Sequence, residues 1–154
     1  MINLIGDVDK EMVRKIFQEA DNFTQKEVVK ISLCSRGGDL SDALAIYDKL
    51  SSLPNEVQIY AYGEVFSSAI IVLLAGDQRF GSPNCSYLWH PTEMSAEGGL
   101  DDVTKEVDHT KELDLMSNNI ILEKTNVTNH KLKAISKKEY YFYDDEAREL
   151  GFIE

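Results

Sequence analysis

The sequence predicts an α/β domain, and three observations carry that prediction. Short runs rich in β-branched and apolar residues alternate with stretches of helical periodicity, and glycine, proline and asparagine punctuate the joins. A length of 154 residues, 43% of them hydrophobic, suits one core and is too short for two comfortable ones, so residues 1–154 are expected to form one domain.

Taken in order, the first strand is expected at Ile2 to Ile5, a helix over about Lys10 to Asn22, and a second strand at Val28 to Leu33. Gly37 and Gly38 then open a helix from Leu40 to Leu53. Within it Leu40, Ala43, Leu44, Tyr47 and Leu50 recur on one face, and Pro54 with Asn55 closes it. A strand at Val57 to Tyr62 leads into the segment GEVFSSAIIVLLAG, Gly63 to Gly76. Its apolar run shows no alternation, which predicts a buried helix from Ser67 to Ala75, entered through a tight turn at Gly63 and stopped by Gly76. Arg79 to Phe80 and Tyr87 to Trp89 read as two short strands across the turn Ser82-Pro83-Asn84.

Beyond His90 the character changes. A Gly98-Gly99 loop precedes a long charged helix, Asp101 to Lys124, on which Val103, Val107, Leu113, Met116 and Ile120 form a thin apolar stripe. Such a stripe suggests packing outside the main core, against a partner subunit or a neighbouring element. A short helix at His130 to Ile135, the aromatic run Tyr140 to Tyr143 and a closing acidic helix, Asp144 to Leu150, stopped by Gly151, complete the chain.

A formal net charge of −11, with no basic run to set against it, argues against nucleic acid as a partner. The start of the chain lacks a basic stretch followed by a long apolar one. The longest apolar run, Ala69 to Ala75, is far short of the roughly 18 to 20 residues of a membrane span. Cys34 and Cys85 sit in apolar surroundings without metal-ligand spacing and read as reduced packing residues, so a cytoplasmic protein without cofactor or metal is expected.

The chemistry concentrates at Ser67 and Ser68. A serine becomes nucleophilic where its hydroxyl stands at a sharp strand-to-helix turn, near free backbone N–H groups and a histidine that can take its proton. If Ser67 begins the buried helix, the N–H of Ser68 is an unsatisfied donor at a helix N-terminus, and a second donor can come from the Gly37-Gly38 turn, where backbone can approach a substrate closely. The plainer reading is that both serines simply cap the helix. Of the three histidines, His109 and His130 lie among charged residues and read as solvated, whereas His90 ends an apolar strand before Pro91. Spacing does not choose among the many carboxylates for a residue to orient His90.

The series SRGGDLSDALAIYD, GEVFSSAIIVLLAG and RFGSPNCSYLWHP resembles the Clp protease proteolytic subunit family, with LIGDVDKEM similar to its first strand and helix and DDEARELGFIE similar to its closing helix. The resemblance implies a Clp protease/crotonase-like fold of stacked ββα units with a protruding handle, here about residues 98–136. It implies Ser67 as nucleophile, His90 as base, and the N–H groups of Gly38 and Ser68 as oxyanion donors. Counting back from Gly151, the family's acid falls at Glu139, with Asp144 and Asp145 as the nearest alternatives; a glutamate can fill this role in a Ser-His-acid triad. Gly37 would hold an extended peptide added as a strand, and Ile70 and Ile71 would wall the specificity pocket.

The same resemblance implies a peptidase of peptides or unfolded proteins, working inside rings of seven that stack in pairs through the handle helix, with an AAA+ unfoldase as possible partner. Several positions depart from the family pattern. Arg36 replaces the proline of the Gly-Gly turn and Tyr140 an arginine after the acid. Lys30 and Ser32 stand where aromatics usually form a docking pocket, although Tyr60, Tyr62 and Phe80 remain. The gating segment before the first strand and the tail after the last are expected to be missing, as in a compact divergent or virus-encoded relative. Two rival readings are a pseudoprotease subunit that assembles without catalysing, and a crotonase-type enzyme of acyl-CoA substrates.

Overall fold

A computed structural model describes residues 1–24 and 27–154. Among the described residues, twelve elements follow one another as β1 (Ile2–Ile5), α1 (Lys10–Ala20), β2 (Val29–Ser35), α2 (Leu40–Ser51), β3 (Val57–Phe66), α3 (Ala69–Leu73), β4 (Gln78–Gly81), β5 (Ser86–Trp89), α4 (Leu100–Lys124), α5 (Asn129–Ile135), β6 (Tyr140–Phe142) and α6 (Asp144–Glu149). The six strands form one sheet in the order β1-β2-β3-β5-β6, with β4 also on β3; every pairing is parallel except that of β5 with β6. This is the mixed α/β architecture that the sequence predicts.

Alternation along the strands explains the layering. Ile2, Ile31 and Ile59 share one register line and Leu4, Leu33 and Ala61 another, and all six are buried. They meet the buried faces of α1 (Met12, Ile16, Ala20), α2 (Ala43, Ile46, Leu50) and all of α3 in one cluster. Because a strand turns successive side chains to opposite faces, the other face carries Asn3, Ser32, Tyr60 and Phe80 on one line. That face stays open: Ile5 is 70% and Tyr62 47% exposed. Asp9 caps α1 through Glu11 N and Met12 N, and Asp39 caps α2 through Asp42 N.

Two sequence expectations change here. Gly63 is no turn before a helix: β3 runs on for ten residues, and Gly63, with φ of 61°, lies at an irregularity where the β2 pairing skips from Leu33–Ala61 to Ser35–Val65. There β3 exchanges its other neighbour, from β4 (Gln58 to Ala61) to β5 (Glu64 to Phe66). The buried helix is also shorter than expected, spanning Ala69–Leu73 rather than Ser67 to Ala75, because the preceding residues complete the strand and its turn.

Arg79 ties the far end of the sheet together. Its guanidinium donates to the carbonyls of Gly76 (3.1 Å), Lys124 (3.0 Å), Gly151 (3.0 Å) and, through Nε, Phe152 (2.9 Å), satisfying carbonyls just past α3, at the end of α4 and past α6. Charge-assisted bonds of this kind contribute about 1.5 to 3 kcal/mol each, and Arg79→Met leaves several acceptors unpaired at once. Arg79→Met is expected to lower the unfolding free energy by about 3 kcal/mol or more in urea titrations.

Both cysteines are free thiols. Burial pushes the Cys85 thiol up to about 11 from an ordinary value of 9.0. The unfolded chain therefore loses this proton first, and the native state keeps it longer. Stability is expected to fall between pH 9 and pH 11, and less steeply in Cys85→Ala, when thermal midpoints are compared across that range.

Candidate active site

The site lies where β3 and β5 end side by side. Val65 pairs with Tyr87 and Phe66 with Leu88, after which Ser67 N donates to Leu88 O at 2.7 Å. Ser67 has φ of 55°, the one non-glycine residue in the left-handed region among the described residues. A left-handed serine between a strand and a helix makes a sharp, strained elbow that lifts its hydroxyl away from the sheet. The elbow is also packed from beneath, since a Cβ on Gly37 would meet Phe66 O and Ser67 Cβ at 2.7 Å each.

The Gly37-Gly38 segment is held by the main chain of Val8 and by the hydroxyl of Ser35. Val8 N donates to Gly37 O (3.0 Å), Asp39 N donates to Val8 O (2.9 Å), and Gly37 N donates to Ser35 Oγ (3.0 Å). Gly37 and Gly38 have φ of 94° and 156°, values that suit glycine, and a Cβ on Gly38 would lie 2.3 Å from Val8 O. Gly38 N donates to Ser68 Oγ at 2.9 Å, and that hydroxyl returns a 3.2 Å bond to Gly38 O. The N–H of Ser68, at the N-cap position of α3, makes none of the backbone hydrogen bonds of the described residues.

A cavity of about 510 Å³ gathers these parts: Ser67, Ser68, Gly38 and His90 line it together with Arg36, Asp39, Leu40, Met94, Thr110 and Leu113, among others. Ser67 and His90 share the cavity without a hydrogen bond between their side chains. Instead His90 Nδ1 lies 2.6 Å from Pro91 O. A carbonyl only accepts, so in the neutral ring that contact puts the proton on Nδ1 and leaves the Nε2 lone pair free to take another. On its other side His90 borders a second cavity, of about 290 Å³, with Pro91, Val107, Asp114 and Ser136.

The remaining expected residues divide. β6 runs antiparallel to β5 with Trp89 opposite Tyr140, so one further step in that register sets Glu139 opposite His90. The Glu139 side chain is exposed and makes no hydrogen bond or ion pair with the described residues. Asp144 is paired with Arg148 (3.0 Å) and Asp145 is exposed on the first turn of α6; neither lines the cavity. Ile70 and Ile71 are wholly buried in the core, because α3 is enclosed on all sides, and they form no part of the cavity wall. Leu40, Met94 and Leu113 supply its apolar lining instead. Met94, the one large apolar residue between Trp89 and Leu100, was the sequence signal available for this. The wall formed by Thr110 and Leu113 of α4 had none, since it depends on where a distant helix packs.

A sequence model of the Clp protease family matches residues 1–154. The chain belongs to the Clp protease family. It is 30% identical over 161 residues to ATP-dependent Clp protease proteolytic subunit 2 of Treponema denticola, with 99% of this chain and 78% of that protein covered. For a Clp protease, an elbow serine, a histidine with a free Nε2 and the unpaired N–H of Ser68 are parts that nucleophilic hydrolysis of an acyl bond requires.

Gly37→Ala tests the elbow. The added Cβ would meet Phe66 O and Ser67 Cβ, neither of them the far end of a flexible side chain, and at a φ that L residues avoid. A loss of about 2 kcal/mol or more of unfolding free energy is expected in denaturant titration.

Proposed function

We propose that this Clp protease is a serine endopeptidase with Ser67 as nucleophile, His90 as general base and Glu139 as the orienting acid. Nε2 of His90 takes the Ser67 proton as Oγ bonds to the peptide carbonyl carbon. The carbonyl oxygen takes up the negative charge beside the N–H groups of Gly38 and Ser68, each such donor being worth about 3 to 4 kcal/mol in comparable sites. Protonated His90 then gives its proton to the departing amine, and water, activated by the same ring, hydrolyses the acyl-enzyme. What carries the reading is the left-handed Ser67 in one cavity with His90 and Gly38. Gly37 would align an extended peptide beside the Gly-Gly segment.

The assembly half of the proposal is a homo-oligomeric ring, heptameric and stacked through α4, with an unfolded protein as substrate and an AAA+ unfoldase as a possible partner. It is supported by the thin apolar stripe of α4, by Leu100, 83% exposed at the start of that helix, and by the open sheet face where Tyr60 stacks on Phe80 at 4.9 Å. A second reading, a subunit that assembles without catalysing, draws on the absence of a hydrogen bond from Ser67 to His90 or from His90 to Glu139 in this conformation. Catalytic contacts in a resting site are commonly loose and tighten when substrate binds, which is why the active reading is preferred.

Covalent labelling with a fluorophosphonate, followed by intact mass, separates the two. The wild type is expected to gain one adduct per chain and Ser67→Ala none. His90→Ala should slow labelling by about 100-fold or more, and Glu139→Gln by less, since Pro91 O also holds Nδ1–H. Rings seen by light scattering without any labelling would establish the non-catalytic subunit.

A further inference from the structure

We infer that the hydroxyl of Ser68 is a built-in competitor for the oxyanion donor Gly38, so that Ser68 sets how readily the site accepts a transition state. The inference rests on the serine-peptidase reading and concerns a side chain to which that reading gives no task. Its starting point is a missing bond. Ser68 occupies the N-cap position of α3, where a serine ordinarily turns its hydroxyl to the first-turn N–H groups, yet its side chain makes no capping bond. The hydroxyl reaches instead across to the glycine segment, accepting from Gly38 N at 2.9 Å and donating to Gly38 O at 3.2 Å.

Both ends of this contact are confined. Ser68 is only 4% exposed, so water does not readily replace it, and Gly38 is clamped between Ser68 and the Val8 main chain. An amide carries one hydrogen. While the Gly38 N–H points at Ser68 Oγ, the developing oxyanion at Ser67 has the free Ser68 N–H but must share or displace the hydroxyl to gain Gly38. Displacement costs the two neutral bonds of the hydroxyl and returns a charge-assisted one, so the exchange favours the transition state over the ground state while lowering the net gain. A residue without a hydroxyl at position 68 would leave the donor free beforehand.

The test compares second-order rate constants for fluorophosphonate labelling of wild type, Ser68→Ala and Ser68→Thr, with Ser67→Ala as the specificity control and far-UV circular dichroism to confirm folding. Ser68→Ala is expected to label about two- to tenfold faster, the factor that corresponds to a net hydrogen bond. Ser68→Thr, which keeps a hydroxyl to compete for Gly38 N, is expected to label more slowly than Ser68→Ala. A folded Ser68→Ala that labels at the wild-type rate, or more slowly, overturns the inference, because the hydroxyl would then be neutral or a support for the glycine segment. Labelling of Ser68→Ala alone, with an unreactive wild type, upholds it in its strongest form. If no variant labels at all, the peptidase reading falls and the inference with it, a result distinct from equal labelling of wild type and Ser68→Ala.

Discussion

A single backbone hydrogen bond, from Ser67 N to Leu88 O at 2.7 Å, holds the site in register. It extends the parallel pairing of β3 with β5 past the end of the strand, and so keeps the elbow against a strand that delivers His90 two residues later. Without it, a serine at φ of 55° would have little reason to stay in the left-handed region, since a strained backbone persists only where its surroundings over-determine it. Gly37 adds the second constraint, packing against Phe66 O and Ser67 from the other side. The bond exists only because β3 changes neighbours at Gly63, leaving β4 for β5.

From that junction the rest of the molecule can be followed outward. The open sheet face, with Ile5 and Tyr62, and the flank of α4, with Leu100, Leu115 and Met116, both leave apolar surface exposed. Thr110 and Leu113 of α4 form part of the cavity wall, and the hydroxyl of Thr92, two residues beyond His90, bonds Asp114 on the same helix at 2.5 Å. The helix proposed for assembly is thus also a wall of the site, and a shift of α4 would be felt at the segment that carries His90. At the opposite end Arg79 joins the ends of three helices, which anchors α4 by its C-terminal end and leaves its first turns free of the core.

Much of this was legible in the sequence for a physical reason: burial alternates along strands and repeats along helices, so the pattern at Ile2 to Ile5, Val29 to Leu33 and Leu40 to Leu50 has one economical solution. Helix α3 was legible as buried because nothing polar interrupts Ala69 to Ala75. The same lack of polarity misled the reading of Ile70 and Ile71, for a run that is apolar on every side says that it is enclosed and not which neighbour encloses it. Gly63 was misread because a glycine with positive φ serves a turn and a strand irregularity equally well.

By itself, the sequence determined the α/β class and the order of most elements, because those depend on local periodicity and on residue types in fixed order; it offered Ser67, His90 and the Gly-Gly segment as candidates, and the fold brings Ser67, His90 and Gly38 to one cavity. Tertiary structure alone decided where the side chains around them spend their hydrogen bonds. The Ser68 hydroxyl leaves its own helix for Gly38, Nδ1 of His90 meets Pro91 O, and Leu40, Met94 and Leu113 line the cavity in place of Ile70 and Ile71. Each of these depends on the meeting of segments far apart in the chain or on the path of a loop, and hydrogen bonds act over about 3 Å, a distance that no pattern of residue types resolves.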